Sequence, residues 1–129
     1  MNKISIILAW GLAYSVYAEP IFKFEPLKET KIVLEKNDIK HVDYKITNVS
    51  PKDHYLQMRK IPGIIELKGT QNCVDKGRLK NSTYCLLRLE IDGNKFERLE
   101  DISPRVCADS SSIMCDTPKS VDILKVTIR

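Results

Sequence analysis

Four cysteines are the residues of this chain with the most definite chemistry. Their spacing is C-x11-C-x21-C-x7-C, at Cys73, Cys85, Cys107 and Cys115. An even number of cysteines in an exported chain predicts two disulfides, with three possible pairings. A zinc site is the alternative, but the C-x2-C knuckle is absent and neither histidine stands beside a cysteine pair. Proximity favours Cys73–Cys85 with Cys107–Cys115, each closing a short loop, and leaves the pairing Cys73–Cys115 with Cys85–Cys107 open.

Groups that could perform catalysis are sparse. His41 begins a predicted strand and His54 lies in a predicted turn, and neither belongs to an H-x-H or H-E-x-x-H motif. Oxidised cysteines supply no thiolate nucleophile. There is no G-x-S-x-G elbow, and residues 110–112 are three serines in a loop that two cysteines close. Three aspartates are scattered in predicted loops, at Asp101, Asp109 and Asp116, and nothing in their spacing supports a carboxylate pair for hydrolysis. We therefore expect no enzyme, no cofactor and no metal site.

A dense apolar zone surrounds Pro62 and Gly63. Its members are Tyr55, Leu56, Met58, Ile61, Ile64 and Ile65. The favoured interpretation is a strand that bends from one sheet to another with these side chains in the core. The alternative is a binding loop that exposes Ile61 and Ile64 beside the proline. The candidate binding surface predicted from the sequence therefore consists of Ile61, Pro62, Gly63, Ile64, Ser110, Ser111 and Ser112.

The elements that must position these residues are strands, because apolar and polar residues alternate through most of the chain. The alternation is clearest over residues 83–91, where one face carries Cys85, Leu87, Leu89 and Ile91. It recurs over residues 41–47 and 122–129, and more briefly at 22–24, 32–34, 55–59 and 64–67. One stretch departs from it, since a period of three at Phe96, Leu99 and Ile102 allows one or two helical turns.

About seven short strands separated by Pro, Gly, Asn and Asp predict an all-β fold, an antiparallel immunoglobulin-like β-sandwich with two disulfides. A small barrel is the alternative architecture. The tryptophan that packs on the disulfide of antibody domains is absent, because the only tryptophan, Trp10, lies in the N-terminal segment. Any immunoglobulin likeness is therefore expected in the topology.

The N-terminal segment predicts export. A positive start at Lys3 precedes an apolar run over residues 4–17, and Val16 and Ala18 occupy the −3 and −1 sites of a signal-peptidase cut. A retained membrane anchor is the alternative, but the run is shorter than the roughly 18–20 residues that span a bilayer. We expect a signal peptide at 1–18, a single domain at 19–129, and a secreted or periplasmic product with no membrane span after cleavage.

Charge excludes one class of partner. Cleavage after Ala18 removes one lysine and lowers the formal net charge from +4 to +3. Lysines and acidic residues are interspersed over residues 23–45, as on a solvated face. Nucleic acid is therefore not expected as a partner.

Several short motifs occur together in one order along residues 40–129. A strand ends in Thr-Asn-x-Ser at 47–50, and Ile-Pro-Gly-Ile follows at 61–64. Leu-x5-Cys-x-Leu-x-Leu-x-Ile-x-Gly occupies 79–93, after Cys73. Pro-x-Val-Cys stands at 104–107, and Cys-x-x-Pro at 115–118 leads into the last strand.

This order of motifs resembles a family of small secreted bacterial immunoglobulin-like domains with four cysteines. Such domains occur alone, in tandem or beside β-propellers in gammaproteobacteria associated with eukaryotic hosts. The resemblance implies the fold, export and paired cysteines, and it implies no catalytic residues, because the family has no established common activity. Ser82 stands where the family usually has a glycine in the turn before the strand cysteine.

Together these observations predict an exported, non-enzymatic binding domain, expected to be a monomer, whose partner is a protein or a surface glycan. The alternative function is a small disulfide-locked inhibitor of a hydrolase such as a lysozyme or a protease. Such an inhibitor would use a cysteine-closed loop such as residues 108–114 to block its target.

Overall fold

The computed structural model describes residues 19–96 and 100–129, and the predicted signal peptide at 1–18 lies outside the described residues. Within them the chain forms one short helix, α1 (Cys73–Lys76), and two 3-10 helices, Gly93–Lys95 and Ser120–Asp122. The same ranges contain eleven strands: β1 (Phe22–Pro26), β2 (Lys31–Leu34), β3 (Ile39–Asn48), β4 (His54–Met58), β5 (Ile64–Glu66), β6 (Arg78–Leu79), β7 (Tyr84–Asp92), β8 (Glu100–Ile102), β9 (Val106–Ala108), β10 (Cys115–Asp116) and β11 (Leu124–Ile128).

The strands form three sheets. The first has the order β1-β3-β7-β5 and the second β10-β9-β4-β6, and every pair in both is antiparallel. The third has the order β2-β11-β8, in which β11 runs parallel to β2 and antiparallel to β8. Only residues 103–105 separate β8 from β9, so the chain passes directly from the third sheet into the second. The prediction of an all-β fold is confirmed, and every described strand pair is antiparallel except β2 with β11.

The core collects side chains from all three sheets. Alternation in β7 buries Cys85, Leu87, Leu89 and Ile91, each at most 1% exposed. The facing positions of β3 are Val42, Tyr44 and Ile46, all fully buried. Strands β2, β9 and β11 close the core from the other sheets, with Leu34, Val106, Ala108, Leu124 and Val126. Burying such aliphatic side chains contributes roughly 1.5–3 kcal/mol each, which is the main term that opposes the entropy of ordering the chain.

Both predicted disulfides are present, and no cysteine is free. Cys73–Cys85 joins α1 to the central strand β7, and both residues are buried. Cys107–Cys115 joins β9 to β10, whose residues stand opposite each other in the ladder. These are the two short-loop pairings that proximity favours.

A buried asparagine organises the turn between β3 and β4. The Asn48 side chain is fully buried, and its Nδ2 donates hydrogen bonds to the carbonyl oxygens of Lys52 and Leu79, each at 2.8 Å. Its Oδ1 accepts from the backbone N–H and the hydroxyl of Ser50. One amide group therefore satisfies two carbonyls and two donors, which fixes the turn against β6.

The structure differs from the sequence-based expectations in three places. Eleven strands replace about seven, because several are two or three residues long and too short to show alternation. The period of three at Phe96, Leu99 and Ile102 does not mark a helix across its length. Phe96 follows a 3-10 helix, Ile102 ends a strand, and Leu99 lies outside the described residues. His54 is the buried first residue of β4, not a turn residue, and Asp101 and Asp116 lie in strands, not loops.

Replacing Asn48 with alanine should lower the free energy of unfolding by about 3 kcal/mol, because the buried Leu79 carbonyl would lose its donor and the turn would lose the side-chain bonds of Asn48 to Lys52 and Ser50. The matched control is Asn81→Ala, which removes an exposed asparagine that donates to the Ser50 carbonyl in the same turn. We expect the control to lose less than about 1 kcal/mol. Urea titration of both oxidised variants measures the difference. Equal losses would contradict the role assigned to Asn48.

Candidate functional site

The candidate site lies around the exposed residues of β4, with Gln57 at its centre. The 61–63 turn and β5 lie on one side of it and follow β4 closely in sequence. The loop that Cys107–Cys115 closes lies on the other side. The pairing of β4 with β9, with Gln57 opposite Cys107, brings that loop alongside. Two segments that lie more than forty residues apart in sequence are thus neighbours on one surface.

The first feature of this surface is an open groove of about 630 Å³, here called the apolar groove. Its aliphatic walls come from β4, the 61–63 turn, β5 and α1, and polar groups stand at its rim. Its lining residues are Gln57, Met58, Lys60, Ile61, Pro62, Ile64, Ile65, Glu66 and Val74. Ile65 and Val74 are 58% and 44% exposed, so apolar surface is available to a ligand without any rearrangement.

The second feature is a smaller concavity of about 360 Å³, here called the serine pocket. It shares Gln57, Met58 and Lys60 with the apolar groove. Its other lining residues are Arg59, Cys107, Ser110, Ser111 and Ser112. A third concavity, also of about 360 Å³, is lined by Gln57, Glu66 and Ser110 among others, and therefore joins the two.

The loop over residues 108–114 is held rigid by its own hydrogen bonds. The Ala108 N–H donates to the Met114 carbonyl, and the Ser111 N–H donates to the Ala108 carbonyl. The Ser111 hydroxyl oxygen accepts from the N–H groups of Ile113 and Met114. This internal network and the disulfide at its base order the loop before any partner arrives, so binding would cost little loop entropy.

Two consecutive residues of this loop have left-handed backbones, Asp109 with φ of +52° and Ser110 with φ of +64°. Asp and Asn tolerate this region better than most residues, whereas serine adopts it less often. The tight reversal that results leaves Ile113 86% exposed. An isoleucine this exposed on a rigid loop is a candidate contact residue.

A histidine–aspartate pair anchors the base of the loop. His54 Nδ1 lies 2.5 Å from Asp109 Oδ2, and the other carboxylate oxygen of Asp109 accepts from the Tyr55 N–H. Desolvation acts to raise the pKa of Asp109. The hydrogen bonds from His54 and Tyr55, with the positive charges of His54 and Arg78, outweigh it and lower that pKa. The His54 ring is buried and packs edge-on against Phe22, so the pair joins β4 to the loop.

The other residues considered for catalysis are dispersed. His41 pairs with Glu90 at 3.2 Å on β3 and β7. Asp116 Oδ2 accepts hydrogen bonds from the N–H groups of Ile21 and Phe22, which ties down the start of the described chain. Over residues 19–96 and 100–129, no cluster of three or more His, Cys, Asp or Glu could hold a metal ion. In the same ranges, no helix is long and apolar enough to cross a membrane.

Glu66 stands out electrostatically. Burial, and secondarily the negative charge of Asp75, raises the pKa of its carboxyl to about 7. Its Oε2 is buried and has no hydrogen-bond partner among the described residues. A carboxyl group in the wall of an apolar groove, which forms no ion pair with any described residue, is the least satisfied group of the site.

The predicted surface residues have different roles. Ile61 and Pro62 line the apolar groove, and Ile64 lines it while being 8% exposed, so it also belongs to the core. Gly63 has φ of +84°, and a Cβ there would lie 2.8 Å from Lys95 Cβ and from the Phe96 ring, so glycine is required for the turn. Ser110, Ser111 and Ser112 line the serine pocket.

Sequence reasoning missed five residues of this surface, namely Gln57, Arg59, Lys60, Glu66 and Val74. Gln57 is an ordinary polar residue at an exposed strand position, and Val74 is placed by the Cys73–Cys85 disulfide. Glu66 carried the only usable signal. It lies two residues after the buried Ile64 and so on the same face of β5, where a half-buried strand usually has an apolar residue.

No protein-family model matches the sequence, and no curated protein matches it. Among solved structures, the chain is similar to the VesB protease of Vibrio cholerae, with 8% identity and a TM-score of 0.46 over 93% of this chain and 34% of that chain. It is also similar to the secreted serine protease VesC from Vibrio cholerae, with 9% identity and a TM-score of 0.46 over 82% of this chain and 23% of that chain. The chain thus spans about a third or less of each protease, and similarity at this level supports no inference about activity.

Replacing Glu66 with glutamine should stabilise the protein increasingly as the pH rises. A carboxyl whose folded pKa is raised above its unfolded value stabilises the fold below the unfolded value, about 4.5, and this contribution is lost as the pH rises to about 7. The variant should therefore gain about 1–2 kcal/mol over the wild type between these limits, once solvent screening is discounted, and the difference should be constant above pH 8. Urea unfolding at pH 4.5, 6 and 8 measures it, with Glu25→Gln as the control for charge. A difference that shrinks as the pH rises would contradict the assignment.

Proposed function

We propose that this protein is an exported, non-enzymatic binding domain that recognises a partner protein through the surface around β4. The observation that carries the proposal is the junction of an apolar groove with a rigid, disulfide-closed loop through the shared residues Gln57, Met58 and Lys60. Exposed apolar patches with polar groups at their rim are typical of protein interaction sites. A rigid loop beside such a groove adds contact area at a low entropic cost.

Export is part of the proposal, and the two disulfides support it. Disulfides persist in oxidising compartments, and small domains outside the cytosol use them to supplement a limited core. Both staples lie at the candidate site, since one fixes α1 beside the apolar groove and the other closes the loop. The periplasm or the exterior of the cell is thus the compartment in which this surface would be assembled.

We further propose that the fold is an immunoglobulin-like sandwich. The order β1-β3-β7-β5 corresponds to strands A-B-E-D of that topology, and β9-β4 corresponds to the F-C pair of the facing sheet. The core includes side chains of both sheets, among them Phe22 and Tyr44 from the first and Met58 and Val106 from the second. The short strands β8, β10 and β11 would then be the interrupted remainder of F and G.

Membership of the four-cysteine family of bacterial immunoglobulin-like domains is proposed on the same grounds. The motif residues occupy structural positions that would restrict them: Asn48 is a buried hydrogen-bonding centre, and Gly63 is a turn that admits no Cβ. Ser82, which replaces the usual glycine, has φ of +65°, a conformation that glycine adopts readily. The turn geometry that the family's glycine would favour is therefore retained here.

The non-enzymatic assignment has a specific basis in His54 and Asp109, the pair that most resembles acid–base machinery. The His54 ring is buried between Phe22 and the loop, and Asp109 uses both carboxylate oxygens to hold β4. A general base must reach the proton that it abstracts from a substrate. Their contacts support a positioning role for the pair, in which it sets the loop against β4.

A photo-crosslinking residue at position 65 should capture the partner protein in the cells that export this domain. Ile65 is 58% exposed in the wall of the apolar groove. The matched control is position 27, where Leu27 is 52% exposed beyond β1, at the opposite edge of the same sheet. We expect one discrete adduct from position 65, identified by mass spectrometry, and at least tenfold less of it from position 27. Equal yields at both positions, or no adduct at position 65, would contradict the proposal.

A second function, inhibition of a hydrolase, is favoured by one observation. Ile113 projects, 86% exposed, from a loop that a disulfide and four internal hydrogen bonds hold in place. Such a preorganised loop is suited to occupying an enzyme cleft, because little conformational entropy remains to be lost. The inhibitor differs from the general binding domain in its target class and in the dominance of the loop over the groove.

If the inhibitor function holds, the purified protein should inhibit a member of a panel of lysozymes and proteases. Ile113→Asp should then weaken that inhibition at least 100-fold, because a contact residue in an apolar cleft would become charged. The control is Val121→Asp, which changes a side chain that is 78% exposed in the Ser120–Asp122 helix. Replacement of Ser110, Ser111 and Ser112 by alanine tests the rest of the loop. Absence of inhibition across the panel, or equal effects of the two aspartate variants, would exclude this function.

A further inference from the structure

We propose that the apolar groove binds an extended segment of the partner, which adds a strand to the free edge of β5 and places a basic side chain against Glu66. This inference rests on the proposed binding function and specifies the recognition mode and the chemistry of the partner. Strand addition to a sheet edge derives affinity from backbone hydrogen bonds and specificity from alternate side chains.

The edge of β5 is available for pairing. In the first sheet the strand partner of β5 is β7, and its other side carries no described strand, only the single bridge of Ile64 to Ile61. The ladder to β7 includes the bonds Asp92 N–H to Gly63 C=O and Leu67 N–H to Arg88 C=O. Because ladder bonds alternate along an antiparallel strand, the N–H and C=O of Glu66 point to the outer edge. The backbone N–H and C=O of Ile64 also point to the outer edge, and this N–H already donates to the Ile61 carbonyl.

The edge borders the apolar groove, which gives an added strand an apolar environment. Ile65 and Val74 are exposed there, and Met58 and Ile61 extend the surface toward β4. A free, apolar strand edge is a liability in a protein that has no partner for it, because it favours non-specific aggregation. Its presence beside an open groove of about 630 Å³ is accounted for by a segment that covers it in the complex.

Charge complementarity selects a basic side chain. Glu66 has a buried oxygen that accepts no hydrogen bond from any residue of 19–96 or 100–129, and the negative charge of Asp75 acts on it from α1. Gln57, the neighbour from β4, is neutral, and Lys60, the one basic residue among the described lining residues, makes no ion pair with Glu66. A lysine or arginine of the partner would therefore relieve the repulsion between two carboxylates and supply the missing donor.

The test uses a phage-displayed library of random linear octapeptides, selected on the oxidised full-length mature protein at pH 8, where the Glu66 carboxyl is ionised. We expect enriched peptides that carry a Lys or Arg with apolar residues two positions away on either side. A synthetic copy of the best peptide should lose at least tenfold in affinity when its basic residue becomes methionine. It should also lose at least tenfold when alternate amides are N-methylated on the edge that faces β5.

The variant Glu66→Gln should weaken binding of the basic peptide at least tenfold and leave binding of the methionine peptide unchanged, which is the signature of a direct contact. The control Glu25→Gln, on the opposite edge strand β1, should change neither. Enrichment without a basic residue, insensitivity to Glu66→Gln or N-methylation, or no enrichment would overturn the inference. So would a dimer of this chain whose formation depends on Ile65. A partner that still crosslinks to position 65 in any of these cases would leave the proposed function standing.

Discussion

The candidate binding surface depends on the position of β4. This five-residue strand lies between two segments that disulfides anchor. On one side, Cys73–Cys85 fixes α1 to the central strand β7, and α1 contacts both β7 and β4. On the other side, β9 pairs with β4, and Cys107–Cys115 closes the loop that leaves β9. A strand this short has few backbone hydrogen bonds of its own, so its neighbours must supply the order. Each disulfide restricts a short loop of the unfolded chain. In the loop-entropy model this raises the free energy of unfolding by roughly 3 kcal/mol.

Polar side chains add to the order that the disulfides impose; Asn48, His54 and Asp43 are buried, and Asp109 is exposed at the base of the loop. Asn48 holds the turn that leads into β4, and the His54–Asp109 pair joins its first residue to the loop. Asp43 is 6% exposed, and Arg88 and Lys28 approach its carboxylate from β7 and from the segment after β1. Buried polar groups need partners with defined geometry, whereas aliphatic contacts tolerate sliding. Asn48, His54 and Asp109 therefore restrict the arrangement of β4, and Asp43 with its two partners joins β3 to β7 and to the segment after β1.

The parts of this architecture that the sequence could predict are those governed by local alternation. Leu87, Leu89 and Ile91 repeat with period two, and the strand that contains them lies at the centre of the first sheet with these residues buried. The parts that it could not predict depend on pairing between distant segments. The pattern of alternating charges predicted that Asp43 lies on a solvated face. Its burial could not be predicted, because the charges that pair with it come from the distant residues 28 and 88. His54 read as a turn residue because its partner, Asp109, is fifty-five positions away. The segments 61–64 and 110–112 could each be identified, but their adjacency required the register of β4 against β9.

Glu66 shows how a side chain that is unfavourable for folding can indicate a binding site. Its inward position in β5 would suit an apolar side chain, which would avoid the cost of a carboxyl whose buried oxygen has no hydrogen-bond partner among the described residues. The fold does not need the charge, since no described residue depends on it for a hydrogen bond or an ion pair. Groups that lower the stability of a fold without forming any contact that it needs are typical of functional sites, where they contact a ligand or a partner. The same carboxyl lines the apolar groove, adjoins the free edge of β5 and lies near a second acidic residue. These three conditions coincide at one residue, and a cationic segment bound along the edge would resolve all of them together.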